Sequence, residues 1–173
     1  AEDGQKDKSL SDIIKSSLLN SHLTILDVYS KNINSKNTKT FLIMTDKFWV
    51  IIPARYTSSR FPGKPLANVM GKPMIEHVYN NATLSGAYKV IIATDDDRIR
   101  KVAEDFGATV CMTSESHKSG TDRIAEVARH YQLMNDEVIV NVQGDEPMLP
   151  PKYINQVAKD LIEHPQADMS TLH

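Results

Sequence analysis

The 173-residue chain contains a single cysteine, Cys111, which excludes an internal disulfide framework and suits a reducing compartment. Charge of neither sign dominates, because the formal net charge is −2, so composition points neither to nucleic acid nor to an anionic membrane as a partner. No apolar run approaches the roughly 18 residues that span a bilayer, and the opening AEDGQKDK makes a poor secretory signal. These absences predict a soluble, cytoplasmic globular protein without nucleic-acid or membrane partners.

Arginine and proline are both absent from the first 43 residues. Apolar residues recur there at helical spacing between residues 10 and 19, and residues 30–40 form a polar tract typical of a linker. We therefore expect an extension of unknown origin over residues 1–43, with a possible short helix and a linker. The domain proper is predicted to span residues 44–173.

Short apolar runs alternate with helical patterns from residue 48 onward. The predicted strands are 48–52, 89–93, 108–112 and 137–142, with a fifth beginning within 167–173, and the predicted helices are 72–87, 95–107, 120–131 and 150–164. Strands that are apolar throughout and alternate with helices predict an α/β fold, a mostly parallel sheet with helices on both faces. Right-handed crossovers then bring the carboxyl ends of the strands to one edge, where such folds bind ligands. The segments directly after the strands are therefore the functional candidates.

Cations and hydroxyl groups dominate the segment after the first predicted strand, PARYTSSRFPGKPL (53–66). Arg55 and Lys64 lie nine positions apart on a loop that contains Gly63, with Ser58 among the hydroxyl residues between them. Such a loop can surround a polyphosphate with backbone N–H groups, a guanidinium and an ammonium. It matches neither the Walker pattern nor the Rossmann glycine fingerprint. Spacing alone does not distinguish this phosphate-binding role from a solvated surface loop.

A carboxylate follows the fourth predicted strand in the segment QGDEP (143–147). Asp145 is expected at the ligand edge beside Gly144, a residue that permits close approach of a ligand or of backbone. One carboxylate facing a triphosphate suits Mg²⁺, which keeps several waters and uses few protein ligands. An ordinary turn role for Asp145 fits the pattern equally well, and Glu146 should face the other way.

Two further segments at this edge have weaker signals. Asp95 could hydrogen-bond a nucleotide, whereas the helix-capping role is expected for two of the three aspartates in 95–97. Residues 119–121 could contact a base edge or simply begin a helix, and Arg123, one turn further on, could face the site or solvent. The histidines form no cluster at metal spacing, so zinc is not expected.

Taken together, five segments resemble the amino-terminal half of the 3-deoxy-manno-octulosonate (Kdo) cytidylyltransferases. They are IIPARYTSSRFPGKPL, GKPMIEHV, IIATDDDRI, VCMTSESHKSGTDRIAEV and VNVQGDEPMLPP. The pattern PAR-x-x-S-x-R-x-PGKPL is shared by the wider sugar cytidylyltransferases, whereas SGT-[DE]-R and QGDEP point to the Kdo branch. The resemblance runs from about Met44 to Leu172 and implies a Rossmann-like fold of the nucleotide-diphospho-sugar transferase type, with the carboxyl-terminal half missing from this chain.

The resemblance also implies a reaction, in which CTP and Kdo give CMP-Kdo and pyrophosphate for lipopolysaccharide biosynthesis, with Mg²⁺ as cofactor. Carried over residue by residue, it assigns the triphosphate to Arg55, Ser58 and Lys64, cytidine to Ala93, Thr94, Asp95, Ser119, Gly120 and Thr121, Kdo to Gln143, and the metal to Asp145. Arg55, Lys64 and Asp145 would then be the catalytic residues.

Two other functions stay open. A sialic acid type cytidylyltransferase would share the cationic loop, and the chain could instead be a catalytically incomplete fragment that binds CTP. The resemblance implies a homodimer for full-length members, and it places a second metal-binding aspartate and most Kdo contacts in the missing half. We therefore expect the chain alone to be inactive and prone to self-association, because its last strand would lack a partner.

Overall fold

The computed structural model describes residues 26–29, 47–57, 61–133 and 137–172. Its strands are β1 (Leu26–Tyr29), β2 (Phe48–Ala54), β3 (Asn68–Val69), β4 (Lys72–Pro73), β5 (Lys89–Thr94), β6 (Val110–Met112), β7 (Val138–Val142) and β8 (Met169–Thr171). Its α-helices are α1 (Met74–Thr83), α2 (Asp97–Asp105), α3 (Gly120–His130) and α4 (Pro151–Glu163), and a short 3₁₀ helix covers Lys64–Leu66.

The main sheet has the strand order β6-β5-β2-β7-β1-β8. Strands β2, β5, β6 and β7 run parallel, and β1 is antiparallel to both of its neighbours, β7 and β8. Strand β8 therefore points the same way as β7. The predicted α/β fold with a mostly parallel sheet is confirmed, and the carboxyl ends of β2, β5, β6 and β7 lie along one edge.

Strand β1 belongs to the region that the sequence predicts as an extension. It lies between β7 and β8 and pairs with both, so the expectation that the last strand lacks a partner was wrong. The physical reason is that the gap between β7 and β8 is as wide as one strand. Without β1 in that gap, the N–H and C=O groups on the facing edges of β7 and β8 would be unpaired. The predicted helix between residues 10 and 19 and the linker at 30–40 lie outside the described residues.

Both faces of the sheet are covered, as the unbroken apolar runs predict. All seven residues of β2 are buried, and alternate side chains serve two different cores. Val50 and Ile52 pack in the core formed with α1, α2 and α4, whereas Trp49 and Ile51 pack in the core formed with α3. The Trp49 ring also contacts the rings of Tyr88 and Tyr131, with centroids 5.4 and 5.7 Å away.

Local backbone chemistry sets where the helices begin. The predicted helix 72–87 begins only at Met74, because Met70 and Gly71 turn the chain with φ of 51° and 88° and join β3 to β4 as a hairpin. Asp96 caps α2 by accepting from the Arg98 N–H at 2.9 Å. The sequence therefore predicts α1 but misses the hairpin before it.

One arginine is buried beneath the ligand edge. Arg123 on α3 is 0% exposed, and its Nη2 donates to Asp95 Oδ2 at 2.5 Å. Its Nη1 donates to the Thr113 hydroxyl, which in turn donates to the Thr94 carbonyl at 3.1 Å. Arg123 thus joins α3 to the segments that follow β5 and β6, and it faces the interior, so the solvent-facing alternative for this side chain was wrong.

Replacing Arg123 by Met is expected to destabilise the fold by about 3–5 kcal/mol, because it leaves the partly buried Asp95 carboxylate without its cationic partner. Urea unfolding followed by circular dichroism measures the change. Arg129→Met, at an exposed position in the last turn of the same helix, serves as the control and should change the free energy of unfolding by no more than about 0.5 kcal/mol. Equal effects of the two changes would contradict this assignment.

Candidate active site

The ends of β2 and β7 and the start of α3 meet around Pro53. A Cβ atom built on Gly144 would lie 2.9 Å from the Pro53 carbonyl oxygen, so only glycine fits at that position. A Cβ atom on Gly120 would lie 3.3 Å from Pro53 Cγ. These two close approaches bring the QGDEP segment and the first turn of α3 against the end of β2.

The cationic loop after β2 is closed at its base by a backbone hydrogen bond. The Gly63 N–H donates to the Tyr56 carbonyl at 2.7 Å, and Gly63 has a φ of 72°. The Arg98 guanidinium lies over the Tyr56 ring, 3.2 Å from its centroid, and also donates to Asp96. These contacts hold the loop against the start of α2 and direct the residue after Gly63, Lys64, back toward the sheet.

Arg55 connects this loop to the segment before α3. Its two terminal nitrogens donate to the carbonyls of Lys118 and His117, at 3.0 and 2.6 Å, while its Nε is buried without a partner among the described residues. Burial, and then the nearby positive charge of Arg123, lower the pKa of the Arg55 guanidinium. An acceptor oxygen of a bound anion would satisfy the Nε group and offset the repulsion between the two arginines.

Lys64 and Asp145 face each other across the opening of a cavity of about 260 Å³. The Lys64 Nζ lies 2.5 Å from Asp145 Oδ2, with the two side chains 39% and 46% exposed. Glu146, beside Asp145, is half-buried, and burial followed by the charge of Asp145 raises the pKa of its carboxyl. Glu146 therefore holds its negative charge less readily than an exposed carboxyl does.

The cavity brings together residues from three of the four predicted segments. Its lining consists of Pro53, Ala54, Arg55, Thr57, Lys64, Pro65, Gly120, Gln143, Gly144 and Asp145. Five of the sequence-predicted site residues are in this set, namely Arg55, Lys64, Gly120, Gln143 and Asp145. Ser58 lies outside the described residues.

Of the six predicted cytidine contacts, Gly120 lines this cavity, whereas Ala93, Thr94, Asp95, Ser119 and Thr121 do not. The side chains of Ala93, Thr94 and Thr121 are buried, and the Thr94 carbonyl accepts from the Thr113 N–H and hydroxyl. Ser119 caps α3 by accepting from the Asp122 N–H at 3.1 Å, and Asp95 pairs with Arg123. The capping role that the sequence left open for Ser119 is thus observed, and cytidine binding by these residues stays a prediction.

Sequence reasoning missed one contributor to the site, Pro53, and left open the direction of another, Arg123. Pro53, at the buried end of β2, lies against both Gly120 and Gly144. In the sequence it continues the apolar run of a strand, so nothing distinguishes it from an ordinary strand residue. Arg123 lies on α3, a helix with six buried residues. Because buried positions occur on so much of this helix, helical periodicity does not show which way the Arg123 side chain points. The Ser-Gly-Thr start of α3 was the available signal that this region contributes to the site.

Within the described ranges, no group of three or more histidine, cysteine, aspartate or glutamate side chains could hold a metal ion. A cation at Asp145 would therefore need most of its ligands from water or from a bound molecule. In the same part of the chain, no helix is both long and apolar enough to cross a membrane.

The chain is similar in sequence to several curated proteins that share one name. The chain is 57% identical over 125 residues to the 3-deoxy-manno-octulosonate cytidylyltransferase of Pseudoalteromonas atlantica, covering 72% of this chain and 49% of that protein. It is 58% identical over 126 residues to the enzyme of the same name from Coxiella burnetii, covering 73% of this chain and 51% of that protein. The chain thus spans about half the length of the curated relatives that it matches.

Solved structures show the same fold. CMP:2-keto-3-deoxy-manno-octonic acid synthetase, solved in complex with CTP, is similar with a TM-score of 0.65 and 42% identity, covering 69% of this chain and 48% of that one. Rv0371c from Mycobacterium tuberculosis, solved in complex with manganese, has a TM-score of 0.52 at 16% identity, covering 68% and 60%, which shows the fold alone. Residues 49–173 match the family described as cytidylyltransferase, and the chain therefore belongs to the cytidylyltransferase family.

Proposed function

We propose that this chain is the nucleotide-binding half of an enzyme that transfers CMP from CTP to Kdo and releases pyrophosphate, for lipopolysaccharide synthesis. The observation that carries the proposal is the meeting of Arg55, Lys64 and Asp145 in one cavity at the carboxyl ends of β2 and β7. The similarity to proteins named as Kdo cytidylyltransferases supports the choice of substrates.

In this reaction the anomeric hydroxyl oxygen of Kdo forms a bond to the α-phosphorus. The bond from that phosphorus to the oxygen of the β-phosphate breaks, pyrophosphate leaves, and the hydroxyl proton passes to solvent. The chain's part is to position the nucleotide and to neutralise charge. Lys64 binds the leaving phosphates, and Arg55 offers its buried Nε to a phosphate oxygen while it keeps the segment before α3 in place.

Asp145 is the residue that would hold a divalent cation, which we infer to be Mg²⁺. The fit rests on the chemistry of the position, since a carboxylate oxygen is a hard ligand and already attracts a cation there, the Lys64 ammonium. When bound, Mg²⁺ would neutralise the negative charge of the triphosphate oxygens.

The cytidine base is assigned to the neighbouring edge, where Asp95 and Ser119 lie. Arg123 takes one oxygen of the Asp95 carboxylate, Oδ2, and so fixes the direction of the other. A carboxylate oxygen accepts from the amino group of cytosine and repels the carbonyl that uracil carries at the same place. This supports CTP over UTP as the substrate.

A second candidate function is CTP binding without turnover. It is favoured by one observation, that Asp145 belongs to no group of three or more potential metal ligands within the described ranges. The residues here could bind CTP with metal and yet leave Kdo without enough contacts for turnover. Pyrophosphate release from CTP and Kdo separates the two, measured on this chain and on a chimera extended with the carboxyl-terminal half of the Coxiella burnetii relative. Release by the chimera and not by this chain would show that turnover needs the added half. N-acetylneuraminate in place of Kdo tests the sialic acid alternative.

Lys64→Ala is expected to weaken CTP binding by about 1.5–3 kcal/mol and to leave CMP binding nearly unchanged, because one charge-assisted contact to the leaving phosphates is lost. Calorimetric titration of both nucleotides measures the difference. Lys72→Ala, which removes a lysine that pairs with Glu76 outside the cavity, is the control. Equal losses for the two nucleotides would move Lys64 away from the β- and γ-phosphates.

Asp145→Asn in the chimera is expected to abolish turnover and to leave the thermal unfolding midpoint unchanged, because a neutral amide is a poor ligand for a hard cation. The assay is pyrophosphate release at fixed magnesium concentration. Asp105→Asn, at an exposed position at the end of α2, should retain full activity. Activity of Asp145→Asn within a few-fold of the parent would make Asp145 an ordinary turn residue.

A further inference from the structure

Lys64 and Asp145 have different ligands in the proposed reaction, but here they bind each other. The lysine is assigned to the leaving phosphates and the aspartate to the divalent cation. In this structure the Lys64 ammonium lies 2.5 Å from Asp145 Oδ2 and donates a hydrogen bond to it. The cation position on Asp145 and the anion position on Lys64 are therefore filled by one contact within the protein.

The surroundings of this contact make it exchangeable. Both side chains are more than a third exposed, and an ion pair at that exposure contributes little to stability. The lysine backbone is fixed by the turn at Gly63, whose carbonyl accepts from the Leu66 N–H at 2.8 Å. The flexible four-carbon side chain can nevertheless turn without disturbing the loop. Movement of the ammonium therefore needs no rearrangement of the fold.

The contact also opposes the binding of a free metal ion. A dication that approaches Asp145 meets a positive charge already in hydrogen-bond contact with the carboxylate. Glu146 lies next to Asp145, but within the described ranges no group of three or more potential metal ligands forms around them. A triphosphate changes this balance, because its terminal phosphates offer the ammonium several anionic oxygens.

We propose that Lys64 occupies the cation position on Asp145 until the terminal phosphates of a nucleotide draw the ammonium away, so that metal and triphosphate enter the cavity together. This inference rests on the proposed function and names its nucleotide substrate more closely, as the complex of the metal with the triphosphate. The coupling is reciprocal, so metal and triphosphate each strengthen the binding of the other through the same exchange. A nucleoside monophosphate lacks the phosphates that would release Asp145.

The test measures metal binding without nucleotide, with Mn²⁺ as the probe and its free electron paramagnetic resonance signal as the readout. Four forms of this chain are compared: the parent, Lys64→Met, Asp145→Asn and the double variant. Lys64→Met should bind Mn²⁺ about tenfold more tightly than the parent, since one neighbouring positive charge is removed. The gain should vanish in the double variant. Lys72→Met, which breaks the 2.7 Å ion pair with Glu76 outside the cavity, should bind Mn²⁺ as the parent does.

The outcomes separate this inference from the proposed function. Unchanged Mn²⁺ affinity in Lys64→Met, together with loss of binding in Asp145→Asn, overturns the exchange and leaves Asp145 as a metal ligand. A gain in Lys64→Met that persists in the double variant places the ion elsewhere and overturns both. An equal gain in Lys72→Met reduces the effect to net charge and also overturns the exchange. Circular dichroism confirms that each variant is folded.

Discussion

The close contact between Gly144 and the carbonyl of Pro53 is the constraint on which the site depends. Parallel strands bring their carboxyl ends to one edge, but neighbouring strand ends need not place their loops in contact. Here the absence of a side chain at Gly144 lets the turn after β7 lie directly on the end of β2. Asp145 thereby reaches the lysine on the loop after β2, and the residues that we assign to phosphate and to metal line one cavity.

Two ion pairs lie at this edge, Arg123–Asp95 and Lys64–Asp145, and they differ in burial. The difference in burial determines what each pair can do. Arg123 is enclosed and holds Asp95 in one direction, so that loss of either partner leaves a buried or partly buried charge unpaired. Lys64 and Asp145 are exposed, so water and ligands can replace either partner at small cost. The enclosed pair suits a permanent part of the scaffold, whereas the exposed pair suits a contact that can open when a ligand binds.

The sequence predicted most of the sheet because its strands are uninterrupted apolar runs between clear turn signals. It missed β1, since four residues such as LDVY carry too weak a pattern, and it missed the β3–β4 hairpin, which two positive φ angles produce next to a helix. The expectation that ligands bind where parallel strands end identified the segments that form the cavity. It could not show that Lys64 meets Asp145 or that Arg123 turns inward, because both depend on side-chain packing between segments distant in sequence.

Trp49 lies far enough from the cavity for its fluorescence to report on the fold separately from ligand binding. It is the single tryptophan, and it lies near the start of β2, four residues before the strand reaches the cavity at Pro53, a distance of about 13 Å along the strand. Its ring is packed against Tyr88 and Tyr131 at the opposite end of the sheet. Intrinsic fluorescence therefore reports on the integrity of the fold and should stay insensitive to a ligand bound in the cavity at the other end of β2.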